Sequence, residues 1–152
     1  MSQSINLVAY ESASDGRIYE TKTELIETAF VTTALLEELQ KESPLIERKI
    51  YEIPDAEEHY SIECFNDSDI ERILVKLEEM FLSVLESDSE KLLQKSDSQD
   101  GKSLPSTQST YIKSSDISES INRFRTLTNI FNIFYLKNNK YGGDTSVVLK
   151  LG

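Results

Sequence analysis

The chain has no tryptophan, one cysteine (Cys64), one histidine (His59), three prolines and five glycines. A single cysteine excludes an internal disulfide and fits a reducing, cytoplasmic location. With one histidine and one cysteine, neither C-x-x-C nor H-E-x-x-H can occur, so the usual metal and zinc-protease ligand sets are excluded. His59 and Cys64 are five positions apart, so on a strand they point to opposite faces and cannot form a nucleophile–base pair. No apolar run approaches a membrane span. The start, MSQSINLVAYESASDG, lacks the basic and apolar blocks of a secretory signal. Cations are also scarce: 16 Lys+Arg against 27 Asp+Glu give a net charge of −11, which argues against a general nucleic-acid binder. Gly142-Gly143 is followed by Asp144 rather than G-K-[ST], so no phosphate loop is present. These absences lead us to expect no enzyme, no cofactor and no metal.

What remains is the composition of a globular chain, 38% hydrophobic over 152 residues, enough to bury a core. Its charge is uneven. Residues 1–100 hold 24 acidic and 9 basic side chains, net −15, whereas residues 101–152 hold 3 and 7, net +4. INLVAY and RIY around the turn cluster SASDG, with Gly16 free to take positive φ, predict a hairpin over residues 5–20. Thr21-Lys-Thr-Glu24 has a capping-box pattern, and Leu25, Ile26, Ala29, Leu36 and Leu39 recur at helical spacing, so residues 21–42 are expected to be a helix. Residues 45–65 read as two extended segments around PDAEE. From 67 to 86, Ile70, Ile73, Leu74, Leu77, Phe81, Val84 and Leu85 line one face of an amphipathic helix begun at Ser68. Residues 95–115 are rich in serine and polar residues and read as a linker. Serines next to acids, as in Ser87-Asp-Ser-Glu90, give its near edge a phosphorylation pattern. The domain reading is an acidic part over 1–94, the linker at 95–115, and residues 116–152 packing back.

The third helix is expected over 116–139, capped by Ser115 or Asp116. Its core is RFRTLTNIFNIFYLKNN, Arg123 to Asn139. Ile117, Ile121, Phe124, Leu127, Phe131 and Phe134 form its stripe, widened by Ile130, Ile133 and Leu136, and Arg123 and Arg125 fall beside it. The terminal SVVLKL looks as if it needs a neighbour. Arg123-Phe-Arg125-Thr-Leu127-Thr-Asn129-Ile-Phe131-Asn132 resembles the arginine–leucine–asparagine–aromatic helix of PCI-family scaffold subunits, which serve the proteasome lid, the COP9 signalosome and translation initiation. The resemblance spans about half the chain if Asp69–Asp88 is taken as the preceding helix. It implies that Arg123, Arg125, Asn129 and Asn132 are packing and capping residues of a scaffold.

Together these readings predict a mainly α fold, a small helical scaffold with minor β-hairpins in residues 5–65. The alternative is α+β, with helices on a small antiparallel sheet. The expected function is a non-catalytic assembly subunit of a cytoplasmic multiprotein complex. Its partners are other protein subunits, not nucleic acid or membrane, and it binds them through apolar helix faces and the C-terminal segment. Arg123, Arg125, Val147, Val148, Leu149 and Leu151 are the candidate contact residues. The alternative function is an adaptor acting as a homo- or heterodimer.

Overall fold

The structure, a computed structural model, describes residues 2–100 and 106–152, with side chains over 3–87 and 118–152. Its elements in chain order are β1 (Ser2–Ser12), β2 (Ile18–Thr32), α1 (Thr33–Glu42), β3 (Ile46–Tyr51), β4 (His59–Cys64), a single 3-10 turn (Asp67–Asp69), α2 (Ile70–Asp100), α3 (Ser106–Lys140) and β5 (Val147–Leu151). The five strands close into a barrel in the order β1-β2-β3-β4-β5 and back to β1. With three helices set against a closed five-stranded sheet, the fold is α+β. This corrects the mainly α expectation. The α+β alternative has the right class, but its sheet closes on itself.

A closed ring of five strands cannot alternate direction all the way round, so at least one neighbouring pair must be parallel. That pair is β2 and β3, which meet only at Ile18↔Ile50 and Tyr19↔Tyr51. A parallel step needs a crossover, and α1 supplies it. The other junctions are antiparallel. Aromatic contacts flank the parallel seam. Tyr19 lies 6.0 Å from Tyr51, the Arg17 guanidinium sits 4.6 Å over the Tyr51 ring, and the Tyr19 hydroxyl donates to Asp15 Oδ2 at 3.0 Å.

The β1–β2 hairpin forms where SASDG predicts it, with Gly16 at φ 82°. The β3–β4 hairpin forms around PDAEE, in register from Ile46↔Cys64 to Tyr51↔His59. The expected helix over 21–42 does not form: residues 21–32 continue β2, and only 33–42 are helical. The apolar spacing that looked helical straddles two elements. Within β2 the burial has period two, with Ala29 and Val31 inside and Phe30 outside, as β-branched and aromatic residues favour. The apparent capping box lies in a bulge. Glu24 pairs with Ala9 and Tyr19 with Glu11, so Glu20, Thr21, Lys22 and Thr23 stand opposite Tyr10 alone, and Thr23 Oγ1 donates to the Glu20 carbonyl at 2.7 Å. The N-cap of α1 is Thr32, whose hydroxyl accepts from the Leu35 amide at 3.2 Å.

The chain divides into two compact units. One comprises Met1–Lys76 with Asn129–Gly152, the other Leu77–Thr128. The first holds the barrel, α1, the start of α2 and the end of α3. In it Val8, Tyr10, Ile18, Ile50, Ile62, Cys64 and Val148 form a buried cluster. Ile70, Ile73, Ile130, Ile133 and Phe134 are also buried, and Phe134 meets Phe65 edge-on at 5.1 Å. The second unit is the remainder of α2 and α3, where Phe81 and Phe124 pack at 4.8 Å. The Ser-rich stretch falls at the facing ends of these helices. Residues 95–100 and 106–115 are helical, and 101–105 lie outside the described residues, as do the side chains that would carry the phosphorylation pattern after Ser87. α3 starts at Ser106, so Ser115 and Asp116 are interior and not caps.

The buried face of α3 is rotated from the expected stripe. Leu127, Ile130, Ile133, Phe134 and Lys137 are buried, whereas Ile121 is exposed and Phe124 and Phe131 are half-covered. The Lys137 side chain is 1% exposed. Its ammonium donates to the carbonyls of Asp144 at 2.7 Å and Tyr141 at 3.1 Å, and Asp67 lies 3.4 Å away. Three acceptors match its three donors, which is how a buried lysine is tolerated. Asp144 in turn takes the amide and hydroxyl of Ser146 on Oδ1, so this network sets the turn from α3 into β5. These contacts give two expected outcomes for equilibrium unfolding. Phe134→Ala costs about 3–5 kcal/mol and Arg125→Ala under about 0.5 kcal/mol. Lys137→Met costs roughly 2–3 kcal/mol, the value of charge-assisted hydrogen bonds, although it keeps the aliphatic stem.

Candidate partner-binding site

β2 is fifteen residues long, yet its seam to β3 uses only Ile18 and Tyr19. Beyond Tyr19, among the described residues, no strand pairs with its outer edge. The bulge at Glu20–Thr23 breaks the first part of that edge, as bulges commonly do. Residues 24–32 remain, extended and paired on one side only, with a second, one-residue bulge at Ile26 between Leu25 and Glu27 that leaves 27–32 as the regular part. This segment carries two of the most exposed large apolar side chains, Leu25 at 60% and Phe30 at 69%.

Beside it is a cleft of about 450 Å³, lined by Glu27 and Thr28 of β2 and by Asn129, Asn132, Tyr135 and Leu136 of α3. Asn132 follows Asn129 by three positions, and Tyr135 and Leu136 follow Asn132 by three and four, so the four share one helix face. Tyr135 is half exposed and stacks on Phe131 at 5.9 Å with an interplanar angle of 21°. Thr28 Oγ1 donates to Asn6 Oδ1 at 2.9 Å, which holds its hydroxyl toward β1. Glu27 Oε1 accepts from the Thr28 amide at 3.2 Å. Among the described residues no cation pairs with Glu24 or Glu27. The lining therefore offers a carboxylate, two carboxamides, a phenol and one aliphatic wall.

The candidate contact residues read from sequence lie elsewhere. Val147, Val148 and Leu149 are buried, and β5 from Val147 to Leu151 pairs with β1 from Ala9 back to Ile5. The neighbour that SVVLKL needs is thus the first strand of its own chain, and the segment is spent closing the barrel. Arg123 and Arg125 are exposed on α3 in the Leu77–Thr128 unit. Asn129 and Asn132, which the PCI resemblance makes packing residues, are exposed and line the cleft. The β2 edge was hidden in the sequence because residues 21–42 scan as one amphipathic helix. The readable signal was the alternation Thr28, Ala29, Phe30, Val31, Thr32.

His59 and Cys64 occupy opposite ends of β4, the first exposed and the second buried. Burial pushes the Cys64 thiol up to about 11, away from the lowered values that activate a thiolate. Tyr10 rises to about 12, first through burial and then through Tyr60 and Glu20 nearby. No group of three or more His, Cys, Asp or Glu among the described residues is placed to hold a metal ion. No helix among them is long and apolar enough to cross a membrane.

The chain matches no protein-family model, no curated protein and no solved structure.

The raised Cys64 and Tyr10 values carry a sign. Both groups hold their protons more tightly folded than unfolded, so their contribution to stability is complete below the unfolded values, 9.0 and 10.0, and is lost as pH rises toward 11 and 12. Thermal melting midpoints are expected to fall steadily above pH 9. Alkylation of Cys64 by iodoacetamide at pH 8 should be slow in the native protein and fast in denaturant.

Proposed function

We propose that this protein is a non-catalytic, cytoplasmic protein-interaction module that takes a partner segment as an added strand on β2, and so acts as a subunit or adaptor of a larger assembly. The observation that carries the reading is the unpaired edge from Glu24 to Thr32 with Leu25 and Phe30 exposed on it. Strand addition uses such an edge for affinity through the backbone and neighbouring pockets for specificity, and the cleft beside Thr28 is such a pocket.

A second reading keeps the contact on the helices, because Leu82, Leu85 and Ile121 of the Leu77–Thr128 unit are also exposed. Affinity purification from the native cell with paired variants separates the two. Phe30→Lys should abolish recovery of the principal partner while Leu82→Lys leaves it intact, with circular dichroism and melting unchanged in both. The opposite pattern would move the interface to the helices and overturn the strand-addition reading.

A further inference from the structure

We infer that the strand added to β2 is a basic one, and that the cleft between β2 and α3 receives an arginine or lysine side chain from it. The inference rests on the strand-addition reading above and adds the partner's chemistry. β2 presents Glu20, Glu24 and Glu27 against a single Lys22, and residues 1–100 carry a net charge of −15. A field of that sign draws in cationic partners and raises their association rate. Glu20 lies close to Tyr10 and Tyr60 and helps hold the protons on both phenols. Glu24 and Glu27 have no cation among the described residues, so their charge is left for a partner.

The cleft fits a cationic head on a long stem. Glu27 supplies a carboxylate, and Asn129 and Asn132 supply carboxamide oxygens that accept from a guanidinium or ammonium. Tyr135, held by its stack on Phe131, offers a ring face for a cation. Leu136 gives the methylene stem an apolar wall. Small-molecule sites are predominantly apolar, and this lining is not. A second copy of the chain is the natural rival for an open edge. Pairing β2 with its own copy would bring four glutamates, Glu24 and Glu27 from each strand, into one two-stranded ribbon. Like charges in such ribbons are destabilising, and each copy carries −11 overall.

The test uses the full chain and three blocked peptides of the same length. Each alternates valine or threonine with a variable residue, which is arginine in the first, norleucine in the second and glutamate in the third. The expected result is that the arginine peptide alone shifts the backbone amides of residues 24–32 together with the side-chain amides of Asn129 and Asn132. Its affinity should fall as salt is raised and should drop about tenfold in Glu27→Gln, the equivalent of one charge-assisted hydrogen bond. If the three peptides shift 24–32 equally, the strand edge stands and the cationic partner is overturned. If none of them shifts 24–32, strand addition itself fails. If the unliganded protein sediments as a dimer with β2–β2 contacts between copies, the edge belongs to a second copy and the inference is overturned.

Discussion

Parity governs this fold. Five strands cannot alternate direction around a closed ring, so one junction must run parallel, and a parallel junction cannot be made by a tight turn. The chain places it between β2 and β3 and spends α1 on the crossover. The junction is narrow, two residue pairs at Ile18–Tyr19 and Ile50–Tyr51, and the remainder of β2 runs past it. The open edge is thus a direct consequence of how the barrel closes, and the cleft exists because α3 lies alongside that overrun.

The barrel's other critical junction joins the two ends of the chain. β5 lies between β1 and β4, so it completes the sheet at its middle. Its position is set by the turn leaving α3, where one buried lysine gathers two carbonyls and a carboxylate. Lys137 thereby ties the helix that walls the cleft to the strand that closes the barrel. The asparagines facing the cleft and the lysine facing inward are on adjoining sides of one helix, about one and a half to two turns apart. What holds α3 in place also fixes the geometry of the polar lining.

Much of this was legible in the sequence wherever local chemistry and tertiary context agree. The turn clusters SASDG and PDAEE mark their hairpins because Gly16 and Asp55 take positive φ there. The two long helices follow from their periodic apolar faces. The failures share one cause, which is that tertiary pairing decides what local pattern leaves open. Residues 21–32 have a helical-looking spacing, yet β1 offers them a partner and Thr, Val, Ile and Phe accept it. SVVLKL looked like a segment wanting a neighbour, from a longer protein or a partner chain, and nothing local says that its partner is INLVA, residues 5–9. Lys137 could not be placed inside by any pattern, since its burial depends on acceptors from Asp67, Tyr141 and Asp144 converging on it. The site was missed for the same reason. An edge is defined by which strand fails to arrive, and that is a property of topology.

One consequence concerns the long excursion between β4 and β5, which carries α2 and α3. Closing a loop costs conformational entropy that grows only with the logarithm of its length, about 0.6 kcal/mol per doubling. Residues 65–146 already pay nearly all of that cost. Lengthening or trimming the distal part of the α2–α3 excursion would therefore alter the barrel's closure free energy very little. The burden falls on kinetics instead, because β1 must wait for a strand some 140 positions away in sequence, and such non-local pairing slows folding. The distal helices are thus free to diverge in length and surface, while the strands and the helical turns around Lys137 are not.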